Sequence, residues 1–96
     1  DLLAARGREL FLTPANACIG CHTVAGTQAQ GKVGPDLTHV GSRGIIAGGV
    51  LENTPENLAR WLRDPQAVKP GNKMVLPRQL TDEEIEALVA YLMSLQ

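Results

Sequence analysis

Cys18, Ile19, Gly20, Cys21 and His22 read C-x-x-C-H and contain both cysteines and one of the two histidines of the chain. Two thiols three positions apart on one helical turn reach the two vinyl groups of a single porphyrin. The imidazole that follows directly then lies under the iron. Covalent haem attachment through two thioethers is the chemistry this spacing serves. Three other chemistries would use parts of it. A structural zinc ion takes four ligands, and Cys18, Cys21, His22 and His39 could supply them, but His39 stands alone where zinc patterns carry a second close pair. A dithiol redox motif belongs after a strand in a βαβ unit, and no segment here has that pattern. A disulfide between Cys18 and Cys21 is the plainest alternative.

With His22 as one axial ligand, the other axial position decides function. Iron with two protein ligands shuttles electrons, whereas an open position binds small molecules or does chemistry. Met74, Met93 and His39 are the candidates. Met74 stands in Pro70-Gly71-Asn72-Lys73-Met74-Val75-Leu76-Pro77, an irregular stretch able to carry a thioether across a haem face. Met93 falls in a helical pattern where packing is its ordinary role, and His39 falls in a glycine-rich loop where an imidazole ordinarily faces solvent. A His/Met pair gives a higher reduction potential than a bis-histidine pair. A haem enzyme or gas-binding domain with an open sixth position is the functional alternative.

The rest of the chain must position these groups. At 96 residues it has the size of a single domain, residues 1–96, with a small core that a staple ordinarily supports. It holds one Phe, one Trp and one Tyr against ten Gly and six Pro, so a haem would supply missing apolar mass. A formal charge of -1 excludes a strongly basic nucleic-acid binder. No run of about 18 apolar residues is present. The chain opens at Asp1 without methionine or signal peptide, which reads as processing or excision from a longer polypeptide.

Leu2, Leu3, Leu10 and Phe11 recur at near-helical spacing, so a helix is expected over 2–12, stopped by Pro14. Gly7 inside it costs about 1 kcal/mol relative to alanine and marks a close helix crossing. Residues 16–22 form a helical turn bearing the motif. Residues 23–53 read as one glycine-rich loop without strands; so long a loop suits a compact domain if it wraps a cofactor. Thr54, Pro55 and Glu56 start a helix over 55–63, with Leu58, Trp61 and Leu62 on one face. Residues 65–80 read as loop. Thr81 and Glu84 make a capping box, and Ile85, Leu88, Val89, Leu92 and Leu95 form the stripe of the last helix. The fold class is all-α, short helices and long loops around one haem.

These residues together resemble class I cytochrome c over nearly the full length. Gly7 and Phe11, four apart, are similar to the family's first-helix pair that packs on an aromatic of the last helix, here Tyr91. Gly34-Pro35 resembles the family dipeptide whose proline carbonyl accepts a hydrogen bond from the ligand histidine. The resemblance implies that Arg43 lies near a haem propionate, that Trp61 donates its indole N–H to a propionate, and that Met74, 17 residues before Tyr91, is the second axial ligand.

A narrower resemblance is to the cytochrome c domain fused to subunit II of caa-type haem-copper oxidases. It is carried by residues 34–43, by Thr54-Pro55-Glu56-Asn57-Leu58, by Trp61-Leu62-Arg63-Asp64-Pro65 and by Pro70-Gly71. That family usually has proline directly after the methionine, whereas Val75 and Leu76 intervene here. The resemblance implies one covalent haem c and outer-sphere electron transfer. It implies redox protein partners, among them the copper-A domain of an oxidase, and a place in the periplasm or on the outer face of the cell membrane, with any membrane contact through a fused or anchored region. Small apolar residues around Cys18, Val24, Ala25 and the Met74 loop, with Lys32 and Lys73 nearby, are expected to form a docking patch.

Overall fold

The computed structural model describes residues 1–96. Helix α1 runs Leu2–Leu12, started by the Asp1 carboxylate, which accepts from the Leu3 N–H at 2.9 Å. It ends as Thr13 turns extended ahead of Pro14. Its buried face is Gly7, Leu10 and Phe11. Helix α2, Cys18–Cys21, carries the motif. Ala17 before it is left-handed at φ 65°, and His22 after it is extended, so the imidazole leaves the helix axis at its C-terminal end.

Helix α3 spans Pro55–Arg63, and Thr54 Oγ1 accepts from the Asn57 N–H at 3.1 Å. Proline at the first position and Glu56 in the first turn suit the free amides and dipole of a helix start. Arg60 and Arg63 suit its other end. Helix α5, Asp82–Met93, has the full capping box: Glu84 N–H donates to Thr81 Oγ1 and Thr81 N–H to Glu84 Oε1. It buries Ile85, Ala87, Leu88, Tyr91 and Leu92.

The core forms where α1 and α3 pack on α5. At the α1–α5 crossing, a Cβ on Gly7 would lie 1.9 Å from the Ala87 carbonyl oxygen. Only a hydrogen fits there, and the close approach brings the Phe11 and Tyr91 rings to 5.7 Å between centroids, tilted at 53°. That is the range where aromatic pairs attract. Leu58 and Leu62 of α3 bury against the same cluster, each worth about 1.5–3 kcal/mol when removed from water.

Three local expectations need correcting. Residues 65–80 are not all loop: Pro65–Val68 forms helix α4, capped by the Asp64 carboxylate, which accepts from the Ala67 N–H at 3.2 Å. The 23–53 segment is not free of strands: β1 (Ile45–Ile46) pairs antiparallel with β2 (Leu51–Glu52), Ile45 opposite Glu52. Two residues per strand are too few for alternation to show. Leu95 lies beyond the end of α5, and its carbonyl instead accepts from the Gly41 N–H at 2.6 Å, tying the glycine-rich segment to the last helix.

Candidate functional site

A cavity of about 670 Å³ opens beside the motif, large enough for a cofactor. Cys18, Cys21, His22, Pro35, Arg43, Trp61 and Met74 all line it. Every residue expected at the site therefore meets at one place. The rivals for the second axial position do not line it. His39 is exposed, with Nδ1 3.0 Å from the Gln96 carbonyl, and Met93 packs against the core.

His22 is held from one side by residues 31–35. Its Nδ1 lies 2.8 Å from the Pro35 carbonyl oxygen. A carbonyl only accepts, so Nδ1 carries the proton and Nε2 keeps its lone pair, the form in which imidazole binds a metal. Gly34 makes the approach possible: a Cβ there would lie 2.5 Å from His22 Cε1. The Gly34 N–H in turn donates to the Cys21 carbonyl at 2.6 Å, fixing Gly34-Pro35 to the motif itself.

Met74 is held by side chains the sequence did not single out. Gln66 on α4 accepts from the Gly71 N–H at 3.0 Å and donates to the carbonyls of Asn72 (2.8 Å) and Met74 (3.4 Å). Asn72 donates to the carbonyls of Pro65 and Lys69, and its Oδ1 accepts from the Met74 N–H at 2.7 Å. Both backbone groups of Met74 are thus fixed, the carbonyl by Gln66 of α4 and the N–H by Asn72, itself bonded back to Pro65 and Lys69, so an irregular segment is held in one place. Asparagine two residues before an amide is a turn signal, and it was available in Pro70-Gly71-Asn72.

Arg43 donates from its guanidinium to the Asp36 carbonyl. The Asp36 carboxylate accepts from both the hydroxyl and the N–H of Thr38, which pulls its pKa below the usual value. Trp61 reaches the cavity from the face of α3 that also carries Leu58 and Leu62.

Arg78 is a further residue the sequence does not single out; it lines the cavity and joins two distant parts of the chain. It grips Glu84 through two hydrogen bonds of 2.8 and 2.7 Å and donates to Asn16 Oδ1 at 3.0 Å. Asn16, buried ahead of the motif, donates to the Leu10 carbonyl at 2.8 Å. This chain of bonds locks the entry to α2 against the start of α5. The Arg78 fork, then the Thr81 N–H, hold the Glu84 carboxyl at about 2, down from 4.5. A carboxylate with a depressed folded-state pKa stabilises the fold above its ordinary value, and that stability is lost as pH falls toward the folded one. Glu84→Gln should therefore melt below the parent at pH 6, and the gap should close as pH falls from 4.5 toward 2. Thermal melts across that range check it; a gap independent of pH would refute it.

The competing uses of the thiols fit poorly. Burial pushes the Cys18 thiol pKa up, the reverse of what a reactive dithiol needs. No group of three or more His, Cys, Asp or Glu side chains is arranged to hold a metal ion, so His39 does not complete a zinc site. The docking patch needs one correction: Val24 is buried in the core cluster, while Ala25 is exposed.

The cavity suits a large apolar group bearing anions. Its wall is mostly hydrophobic, with Phe11, Leu58, Leu88 and Leu92 at the core side. Four cations line it and no aspartate or glutamate does. Haem has this chemistry, a flat hydrocarbon macrocycle with two carboxylates, and the thiols and free Nε2 lie at the same wall.

Comparison with known proteins agrees. The family model described as cytochrome c matches residues 4–96. The chain is 48% identical over its full length to cytochrome c oxidase subunit 2 of Alkalihalophilus pseudofirmus, of which it spans 27%. It is thus about a quarter as long as that relative. Cytochrome c2 of Blastochloris viridis is 31% identical over 93% of this chain and 75% of its own length. The crystal structure of the c-type cytochrome SorU from Sinorhizobium meliloti superposes with a TM-score of 0.66 at 29% identity, covering 97% of this chain and 90% of that one. With the motif at 18–22, the Gly7 crossing and the apolar cavity in place, the chain belongs to the cytochrome c family, has its fold, and transfers electrons through one covalently bound haem c.

Proposed function

We propose that residues 1–96 form a single cytochrome c domain in which Cys18 and Cys21 carry the thioethers, His22 and Met74 are the axial ligands, and the electrons go to a terminal respiratory oxidase. One observation supports the ligand pair above others: of Met74, Met93 and His39, only Met74 lines the cavity that His22 enters. When bound, haem supplies an iron that takes up and releases one electron. The protein's part is to hold its surroundings still. The Pro35 carbonyl fixes the His22 tautomer, and Gln66 and Asn72 fix the Met74 backbone. Ligands held this firmly keep the same coordination in both oxidation states, so reorganisation on transfer is small. Arg43, on the cavity wall, is then the cation for a propionate, and Trp61, on the same wall, its indole donor.

The oxidase reading rests on the name of the Alkalihalophilus relative and on the share of it that this chain matches. A copper-A domain is then the natural acceptor, met outside the cytoplasm, where covalent haem attachment takes place. No helix of the chain is long and apolar enough to cross a membrane. The contact with a redox partner is expected to be small and transient. Exposed Val33 and Val75 at the cavity mouth, with Lys73 beside Met74, offer apolar and cationic surface for it.

Optical spectroscopy tests the ligand pair. The ferric protein should be low-spin, show the weak near-infrared charge-transfer band of an iron–thioether bond, and resist carbon monoxide when reduced. High-spin iron with rapid carbon monoxide binding would favour a gas-binding or peroxidase-like domain instead.

A further inference from the structure

The four cations on the cavity wall are not equivalent. Arg78 is paired with Glu84, and Arg43 donates to the Asp36 carbonyl. Lys69 and Lys73 have no carboxylate within salt-bridge distance. Of these two, Lys69 has its backbone fixed. It closes α4, its N–H donates to the Pro65 carbonyl at 2.9 Å, and its own carbonyl accepts from Asn72 Nδ2 at 2.7 Å. Its ammonium reaches away from α4 to the turn after β1. A Cβ on Gly48 would lie 2.6 Å from Lys69 Nζ, so the cation rests on Gly48 where a side chain would displace it. Gly48 also lines the cavity and has φ +67°, a conformation glycine adopts without strain. Gly48 follows Arg43 by five residues on the same rim segment. An unpaired lysine of the cavity wall thus rests on Gly48, and no protein anion lies within salt-bridge distance of it.

We propose that Lys69 is a further cofactor-anchoring residue, its ammonium pairing with a haem carboxylate at the rim formed by Gly48 and Arg43. This rests on the haem-site reading above. A cation there cancels part of the carboxylate's charge, which otherwise favours ferric over ferrous iron. Removing it should favour the oxidised state and let the carboxylate take up its proton at higher pH. The charged or titratable groups that share the cavity wall are Arg43 from the rim, Lys73 and Arg78 from the segment after α4, and His22, whose Nδ1 proton is held by Pro35.

The test is spectroelectrochemical titration of the parent holoprotein, Lys69→Gln and Lys69→Arg between pH 5 and 9. At pH 7, Lys69→Gln should raise the oxidised-to-reduced ratio at fixed applied potential by about threefold, ~28 mV at about 59 mV per tenfold for one electron. Its potential should also begin to fall with pH at a higher pH than in the parent. Lys69→Arg, which keeps the charge, should restore both. Superimposable profiles for parent and Lys69→Gln would overturn the proposal, as would a shift that Lys69→Arg fails to restore. Haem bound covalently in a parent whose potential ignores Lys69 would refute this pairing alone. A parent whose denatured mass shows no haem would refute the site reading and this inference together.

Discussion

Met74→Ala is expected to lower the reduction potential by at least ~100 mV and to open the iron to carbon monoxide, while the fold persists. Axial-ligand identity moves haem potentials across a span of about 0.8 V. A thioether raises the potential relative to a nitrogen or water ligand. Losing it therefore drives the couple toward ferric, more than tenfold at about 59 mV per factor of ten. The fold should survive because Met74 is only partly buried and its neighbourhood is built from backbone bonds to Gln66 and Asn72, which the substitution leaves alone. A redox titration alongside a far-ultraviolet spectrum checks both halves. A variant that kept the parent potential and a low-spin spectrum would move the ligand role to Met93 or His39, against their positions outside the cavity.

Gly7→Ala should be the most damaging small substitution away from the haem motif. The new methyl would sit 1.9 Å from the Ala87 carbonyl and 2.8 Å from Tyr91 Cβ. The first neighbour is backbone and cannot rotate aside, so α1 and α5 must separate and the Phe11–Tyr91 contact must loosen with them. Overpacking of this kind costs about 1–3 kcal/mol, occasionally more. Alanine's better helix propensity returns about 1 kcal/mol. The clash with backbone at the central crossing puts the overpacking cost at the top of that range, so the net loss is about 2 kcal/mol. For a domain of this size that lowers the melting temperature by roughly 8–16 °C. Gly44→Ala is the control, since nothing lies within 4 Å of a Cβ there, and it should melt within a degree or two of the parent. Equal melting of the two variants would show that the helices do not meet as described.

What could be read from sequence divides along a physical line. Signals confined to one turn were legible: Thr54-Pro55 and the Thr81–Glu84 box place α3 and α5 where the structure has them. Asp64-Pro65 is the same kind of start signal, but Pro65 also reads as a stop for α3, and this second meaning hides α4. Cys18, Cys21 and His22 were legible because their chemistry needs a fixed short spacing. Met74 is legible as one of three candidate ligands and is singled out further by likeness to a family; Pro35, Arg43 and Trp61 are reached as site residues only through that likeness, and the cavity brings all four to the motif. Arg78 and Asn16 lie 62 residues apart and meet only in the folded chain. Lys69 was equally invisible, because what sets it apart is the glycine it rests on and the absence of an acidic neighbour.

The covalent bond between porphyrin and both thiols underlies every other assignment, since it fixes which imidazole and which cavity matter. Mass spectrometry of acid-denatured protein, with a peptide map over residues 18–22, tests it directly. The expected result is one haem per chain, retained through denaturation, with Cys18 and Cys21 both closed to alkylation. The mass of the bare polypeptide, with both thiols free to react, would contradict it.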